Sequence, residues 1–200
     1  MPARFLHAVS GDSDKSRTTR EFAAEAWEEV RMDDNPEVRP DIQADMLHMD
    51  AVAGESFDAA FTAYSLERLY AHEVLPALRN LHRVLKDDGY LVVHCADLRS
   101  ACALIAGDKL LEPAYESAAG PVAPLDILYG FRPALAAGYT RHANKCGFTA
   151  RALTGTLAQA GFGSVWITVN APTYTITAIA SKRERPETAM RELAKTHFAR

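Results

Sequence analysis

Short apolar runs recur along the first half of the chain, and each is bounded by polar or turn-forming residues. They cover residues 4–9, 28–32, 41–46, 57–64 and 89–95. Near-continuous apolar character over such lengths is typical of strands that are covered on both faces, as in a parallel sheet. Two further β-rich runs, "SVWITV" and "TYTITAIA", are separated by "NAPT" and predict a closing hairpin.

Helical patterns lie between these runs. In "AHEVLPALRNLHRVL" the apolar residues from Val74 to Leu85 recur at steps of three and four and form one stripe, with Pro76 expected near the first turn. The segment "TARALTGTLAQAG" predicts a helix that is capped by Thr149 and ends at Gly161. Strands that alternate with helices predict an α/β fold.

The chain also ends in a helical pattern, "PETAMRELAKTHF", with Pro186 at the expected first position. We therefore predict a doubly wound, mostly parallel sheet with one antiparallel strand near an edge. A length of 200 residues suits one core, and no linker interrupts it, so residues 1–200 are predicted to form a single domain. Residues 98–148 are rich in Gly, Pro and Tyr and exceed what a simple connection needs. We expect this insertion after the fifth strand, called segment 98–148 below, to be a lid over the carboxyl ends of the strands.

Composition and charge exclude several function classes. The hydrophobic fraction is 48%, and a net charge of −4 gives no reason to expect nucleic acid as a partner. No apolar run approaches the roughly 20 residues that cross a bilayer, and the N-terminus lacks a signal-peptide core, so a cytoplasmic protein without a membrane partner is expected. Cys95, Cys102 and Cys146 lack C-x-x-C pairing, which predicts reduced thiols. His142 and Cys146 have a helical ligand spacing but no second pair, so no metal is expected.

Acidic and polar residues follow four of the predicted strands. Asp33 ends the second strand, Asp45 ends the third, Ser65 and Glu67 follow the fourth, and Asp97 follows the fifth. Because the carboxyl ends of parallel strands meet at one edge, these residues are predicted to lie together. In a nucleotide site, the first carboxylate would bind the ribose hydroxyls and the second would accept the adenine amine. Each residue taken singly is also an ordinary turn former.

Three motifs occur in a specific order: "VRMDDNP" at 30–36, "LERLYAHEV" at 66–74 and "RVLKDDG" at 83–89, followed by "GDKLLEPAY" at 107–115. With them the chain resembles class I S-adenosylmethionine-dependent methyltransferases, especially a small bacterial branch with "VRLDIDP", "LEHLYPHEV" and "RVLKPGG". The resemblance covers most of the chain. It implies a seven-stranded Rossmann-like sheet, with S-adenosyl-L-methionine lying across the first four strands.

The resemblance also implies roles for individual residues. Asp33 would hold the ribose, Asp45 and Met46 would flank the adenine, and Ala63 and Tyr64 would line the methionine half of the cofactor. For Met46 a core-filling role is an equal alternative, because a flexible thioether packs well in irregular gaps.

The loop after the first strand departs from this pattern. Relatives carry a glycine-rich turn such as "VLHVGCG", whereas this chain has "FLHAVSGDSDK" at 5–15. Gly11 is retained, but Val9 and Ser10 replace the glycine and its neighbour; we assign all three to the cofactor site. Valine is expected to resist a positive φ and to add bulk beside the cofactor. Asp87 and Asp88 replace Pro-Gly in the turn before the fifth strand, at the end far from the ligand.

Candidates for a catalytic role are His94, Asp97, Tyr64 and Arg132, although methyl transfer mainly needs proximity and alignment. His94 is also interpretable as a core histidine with satisfied hydrogen bonds, and Arg132 as a partner for an anionic substrate. Arg68 stands where the branch has His; it is expected to be exposed and partly snorkelling, or else to reach a carboxylate of the cofactor or substrate.

The sequence thus predicts methyl transfer from S-adenosylmethionine to a small-molecule acceptor by in-line displacement, and it leaves a homodimer open. The alternative is a degenerate relative whose first loop excludes the cofactor and which acts as a binding or partner module. A nicotinamide oxidoreductase is disfavoured, because G-x-G-x-x-G is absent after the first strand.

Overall fold

The centre of the molecule is a twisted β-sheet, seen in a computed structural model that describes residues 2–198. The strands are, in chain order, β1 (Ala3–Ala8), β2 (Trp27–Asp33), β3 (Ile42–Gln43), β4 (Phe57–Ala63), β5 (Leu85–Ala96), β6 (Tyr115–Ser117), β7 (Gly120–Val122), β8 (Ser164–Asn170) and β9 (Thr175–Ser181).

Within the described residues, seven of these strands form one sheet in the order β3-β2-β1-β4-β5-β9-β8. The first five run parallel, β9 runs antiparallel to both of its neighbours, and β8 therefore points the same way as β1. The predicted fold class, a doubly wound sheet with one antiparallel strand near an edge, is confirmed. This order turns at β1 and β4, so a crevice opens at the carboxyl ends of these two strands.

Seven α-helices surround the sheet in the part of the chain that is described. They are α1 (Arg20–Ala23), α2 (Ala71–Val84), α3 (Leu98–Ala106), α4 (Pro124–Tyr129), α5 (Arg132–Ala136), α6 (Ala150–Gln159) and α7 (Glu187–Phe198). None of the helices in residues 2–198 is long and apolar enough to cross a membrane.

Each face of the sheet packs its own core. On one face, helices α2 and α6 bury leucines such as Leu78 and Leu153 against Leu6 and Leu91. The other face is aromatic, and Phe5 stacks on Phe22 with 4.4 Å between ring centroids. Helix α7 closes this second face, where His197 bonds to Thr19 Oγ1 at 2.7 Å and to the Tyr90 hydroxyl at 3.0 Å.

Most predicted elements lie where the sequence placed them. Thr149 caps α6 by accepting from the Ala152 N–H at 3.3 Å, and Gly161 follows the helix at φ +108°. The predicted hairpin of β8 and β9 is confirmed.

Four expectations on local structure were wrong. The third strand spans two residues instead of residues 41–46, because only Met32 and Asp33 of β2 pair with it. Pro76 is in the second turn of α2. Pro186 lies before α7, which begins at Glu187, and its carbonyl accepts from the Met190 N–H at 3.1 Å. Residues 86–89, expected as a turn, form a bulge inside β5, since Leu85 pairs with Phe57 and Tyr90 with Ala59.

Segment 98–148 leaves the sheet and returns to the place where it left. It contains α3, the β6–β7 hairpin, α4 and α5. Its ends meet in a parallel bridge between Asp97 and Phe148, and the Leu98 N–H donates to the Phe148 carbonyl at 2.9 Å. Because the two ends of segment 98–148 are adjacent, the segment can lie over the edge of the sheet without altering the order of the strands.

Candidate functional site

The loop after β1 forms the floor of the crevice, and it adopts the conformation that glycine favours. Val9 has φ +56° and Gly11 has φ +57°. Valine is expected to resist a positive φ, and the loop nevertheless holds Val9 in this conformation. The Val9 and Ser10 N–H groups donate to the Met32 carbonyl at 2.8 and 3.2 Å, and the valine side chain packs on the core. These contacts with β2 hold the left-handed turn despite its cost for a β-branched residue.

Asp33, at the end of β2, ties this loop down. Its Oδ2 accepts from the Gly11 N–H at 2.8 Å and its Oδ1 accepts from the Asn35 N–H at 2.9 Å. The residue is 5% exposed. Because each carboxylate oxygen offers two acceptor positions, Asp33 keeps capacity for two further donors. Asp33 is thus a turn former and still a competent ligand-binding group.

A second anchor fixes the loop from below. Arg31 Nη2 donates to the Gly11 carbonyl at 2.5 Å and to the Val38 carbonyl at 3.0 Å. Above Gly11 the space is open, since a methyl group built there would meet no atom within 4 Å. The backbone of the loop is therefore fixed, and the space next to Gly11 is open. A ligand that lies close to the backbone requires both features.

The two residues predicted to flank adenine differ in exposure. Met46 is 2% exposed and belongs to the core cluster, which favours its core-filling alternative. Asp45 is partly exposed and accepts from the Leu47 and His48 N–H groups at 2.6 and 2.8 Å. Burial acts to raise the pKa of Asp45, but these bonds and the His48 ring outweigh it and hold the pKa below its usual range.

Tyr64 stands at the end of β4, next to Ala63, and opens toward solvent. It has φ +51° and is 42% exposed. Its N–H donates to the His94 carbonyl at 2.8 Å, and its hydroxyl lies 2.8 Å from Thr175 Oγ1. The side chain is thereby held between the carboxyl end of β4 and the start of β9.

The other three catalytic candidates are engaged or enclosed. Asp97 caps α3, accepting from the Arg99 and Ser100 N–H groups at 3.2 Å each. Arg132 is bound by the carboxylate of Asp126, with Nε 2.7 Å from Oδ1. His94 lies on the aromatic face, where burial lowers its pKa to about 4. Within residues 2–198 its Nε2 is buried without a hydrogen-bond partner, so the expectation of a satisfied core histidine was wrong.

Glu67, which the sequence placed at this edge of the sheet without a specific role, links three parts of the crevice. Its Oε1 accepts from the Ala96 N–H at 2.7 Å, and its backbone carbonyl accepts from the Lys145 and Cys146 N–H groups at 2.7 and 3.1 Å. Within the described chain its Oε2 is buried without a partner, and burial raises its pKa to about 7. The sequence signal for Glu67 was its position just after the fourth strand.

Charged side chains of segment 98–148 face the acids at the end of β2. Arg141 forms an ion pair with Asp34, and burial lowers the pKa of His142, on which the charges of Arg68 and Arg141 also act. Arg68 is partly buried, so the expectation of an exposed side chain was wrong. Burial lowers its pKa, while Glu67 and Asp33 act to raise it.

Residues 13–93 match the model of the protein family described as methyltransferase domain. No curated protein matches the chain. Among solved structures, a methyltransferase from Thermotoga maritima is 14% identical, with a TM-score of 0.56 and coverage of 92% of this chain and 84% of that one. One from Methanosarcina mazei is 14% identical, with a TM-score of 0.59 and coverage of 92% and 94%.

A third structure, the 1,6-didemethyltoxoflavin N1-methyltransferase of Burkholderia thailandensis with bound S-adenosylhomocysteine, is 14% identical, with a TM-score of 0.54 and coverage of 92% and 72%. At such identities the likeness is one of fold. Sheet order, reversed β9 and the anchored loop after β1 define a Rossmann-like methyltransferase fold. Residues 13–93 therefore resemble a methyltransferase domain, and the fold of the chain is that of solved S-adenosylmethionine-dependent methyltransferases.

Proposed function

We propose that this protein transfers a methyl group from S-adenosylmethionine to a small molecule bound between the end of β4 and segment 98–148. The observation that carries this proposal is the hydrogen bond from the Gly11 N–H to Asp33, which fixes a left-handed loop beside open space and leaves the carboxylate with spare acceptor capacity. The bound cofactor supplies an activated methyl group on a sulfonium.

The residues of the chain would bind the cofactor and orient it toward the acceptor. Asp33 would accept the ribose hydroxyls, and Asp45, whose lowered pKa keeps it ionised, would face the adenine. Ala63 and Tyr64 would line the methionine half, and Met46 would back the adenine pocket from the core. Holding donor and acceptor in line accounts for a large part of such a rate enhancement, about 7–11 kcal/mol in well-oriented cases, so no base is required.

Aromatic side chains lie beside the end of β4. The Tyr64 hydroxyl is 2.8 Å from Thr175 Oγ1, and the neighbouring Tyr174 stacks on Tyr115 with 6.0 Å between ring centroids. Such rings favour a planar or apolar acceptor. The guanidinium of Arg132 is held by Asp126, so we expect Arg132→Ala to leave acceptor affinity unchanged. A loss of affinity in this variant would instead assign Arg132 to an anionic substrate.

A second candidate is a binding or partner module without catalysis. The observation that favours it is the isopropyl group of Val9, which stands at a positive φ where relatives with a glycine-rich turn have no side chain. Val9→Gly separates the two candidates: it leaves the affinity of an active enzyme nearly unchanged and restores binding to a degenerate one.

The experiment is calorimetric titration of the protein with S-adenosylmethionine and S-adenosylhomocysteine, with nicotinamide cofactors as a negative control. Asp33→Asn is the test variant, and Asp34→Asn is the matched control, since Asp34 is exposed and its side chain bonds only Arg141 within residues 2–198. Micromolar binding, worth about 8 kcal/mol, that weakens selectively in Asp33→Asn supports the proposal. No binding by wild type or by Val9→Gly would overturn it.

Assembly and location stay predictions. We expect a cytoplasmic protein without nucleic-acid or membrane partners. Light scattering coupled to size exclusion tests the homodimer directly.

A further inference from the structure

Arg68 differs from the other arginines that lie partly inside the protein. It ends the short 3-10 turn Leu66–Arg68 that follows β4, and it is partly buried. Arg31 and Arg185 are also partly buried, and the guanidinium of each donates two hydrogen bonds. Within residues 2–198 the guanidinium of Arg68 takes part in no hydrogen bond and no ion pair, although Asp33 and Glu67 are near enough for their charges to act on it.

Partial burial takes away part of the hydration of this guanidinium, and no protein group within residues 2–198 replaces it. The charge of Arg141 makes the position less favourable still, since it acts on Arg68 in the same direction as burial. The guanidinium of Arg68 can therefore form an ion pair with an anionic ligand that enters the crevice. The planar fork of arginine matches a carboxylate bidentately.

We propose that Arg68 binds the carboxylate at the amino-acid end of S-adenosylmethionine. This inference rests on the function proposed above. Asp33 at the end of β2 and Arg68 after β4 flank the loop that follows β1, because β1 lies between β2 and β4 in the sheet. A cofactor whose ribose is held by Asp33 and whose chain runs toward β4 brings its carboxylate to Arg68.

Arg68 stands where the similar bacterial branch has His, so the bidentate contact would distinguish this chain.

The test compares S-adenosylmethionine with decarboxylated S-adenosylmethionine, which keeps the adenosine, the sulfonium and the amine and lacks only the carboxylate. Calorimetry on wild type, Arg68→Ala and Arg68→Lys measures both affinities. Arg79→Ala is the matched control, because Arg79 is an exposed arginine on α2. We expect Arg68→Ala to weaken S-adenosylmethionine binding about 10- to 100-fold. Binding of the decarboxylated ligand stays unchanged, and Arg68→Lys recovers part of the loss.

Thermal unfolding without ligand provides a second readout. A ligand-binding role predicts that Arg68→Ala leaves the melting temperature unchanged, because the guanidinium makes no hydrogen bond or ion pair within residues 2–198. A clear drop would assign Arg68 to structure and overturn the inference. Equal losses for both ligands, or no loss for either, would also overturn it while the proposed function stands. A wild-type protein that binds neither ligand would overturn the proposed function and this inference together.

Discussion

The Gly11 N–H and the Asp33 carboxylate meet at 2.8 Å, so the loop after β1 is held by a side chain of the neighbouring strand. The same carboxylate is the group that we propose to grip the ribose. Loop conformation and ligand affinity are therefore coupled through one residue.

Val9 carries conformational strain that glycine would relieve. Val9→Gly and Val9→Ala both remove most of the packing of the side chain, but only glycine accepts φ +56° without penalty. A left-handed conformation costs a non-glycine residue about 1–2 kcal/mol, and glycine loses about 0.5–1 kcal/mol to backbone entropy. We expect Val9→Gly to exceed Val9→Ala in free energy of unfolding by up to about 1 kcal/mol, measured by urea denaturation.

The control for this comparison is Ala103→Gly, at an exposed helical position in α3. There glycine is expected to be the less stable residue by about 0.5–1 kcal/mol. If Val9→Ala proved the more stable of the two variants, the loop would not have the conformation described.

Glu67 makes stability depend on pH in an unusual direction. Burial raises its pKa from 4.5 to about 7, so the folded state binds a proton that the unfolded state has lost. Its contribution to the free energy of unfolding is complete below about pH 4.5 and is lost as the pH rises through 7. Glu67→Gln removes this dependence, which amounts to about 3 kcal/mol at most.

Urea unfolding of wild type and Glu67→Gln between pH 5 and pH 8 measures the effect. We expect the variant to gain on wild type up to about pH 7 and the difference to level off above it. Glu112→Gln, which changes an exposed carboxylate, serves as the control and should run parallel to wild type. Parallel curves for Glu67→Gln would mean that the buried carboxyl is ionised throughout.

The ion pair of Arg141 and Asp34 connects segment 98–148 to the turn after β2. Both side chains are about half exposed, so we expect Arg141→Ala to lower the free energy of unfolding by less than about 1 kcal/mol. Hydrogen exchange of the backbone around residues 139–146 should nevertheless accelerate, because one of its attachments is lost. The charge-reversed pair, Asp34→Arg with Arg141→Asp, should restore protection; a double variant that exchanges as fast as Arg141→Ala would refute the attachment.

Two glycines are expected to respond to alanine in opposite ways. A methyl group at Gly130, which has φ +101°, would lie 2.5 Å from the His142 carbonyl oxygen, so Gly130→Ala should destabilise by more than about 1–3 kcal/mol. At Gly155, inside α6, it would meet nothing within 4 Å, and Gly155→Ala should stabilise by about 0.5–1 kcal/mol. Melting temperatures of the two variants check both signs.

The sheet was predictable because strand and helix periodicities are local properties of the sequence. The length of the third strand and the bulge at 86–89 were not predictable, because both depend on which residues pair with the neighbouring strand. Pairing across the sheet also explains why Val9 could be forced into a conformation that its own preferences oppose.

For the site, the sequence predicted which acidic residues lie at the strand ends, but it did not predict their burial or their hydrogen-bond partners. The sequence singled out Glu67, Arg68 and Arg132 but did not predict their surroundings. Within residues 2–198 Glu67 has a buried oxygen without a partner, Arg68 has no hydrogen-bonded side-chain partner, and Arg132 is bound to Asp126. Burial and pairing arise from tertiary packing. They depend on residues that are distant in the sequence, so the type and spacing of neighbouring residues do not predict them.

Asp33 and Asp34 are consecutive, yet the first holds the loop below the crevice and the second holds segment 98–148 above it. Entry and exit of a bound molecule would then require the exposed upper contact to break while the buried lower one persists. Only the upper contact is open to screening by dissolved ions, whose influence at physiological ionic strength extends about 8 Å. Added salt would therefore increase the rate at which a ligand enters and leaves more than it lowers the binding affinity. The rate of turnover would then depend on ionic strength.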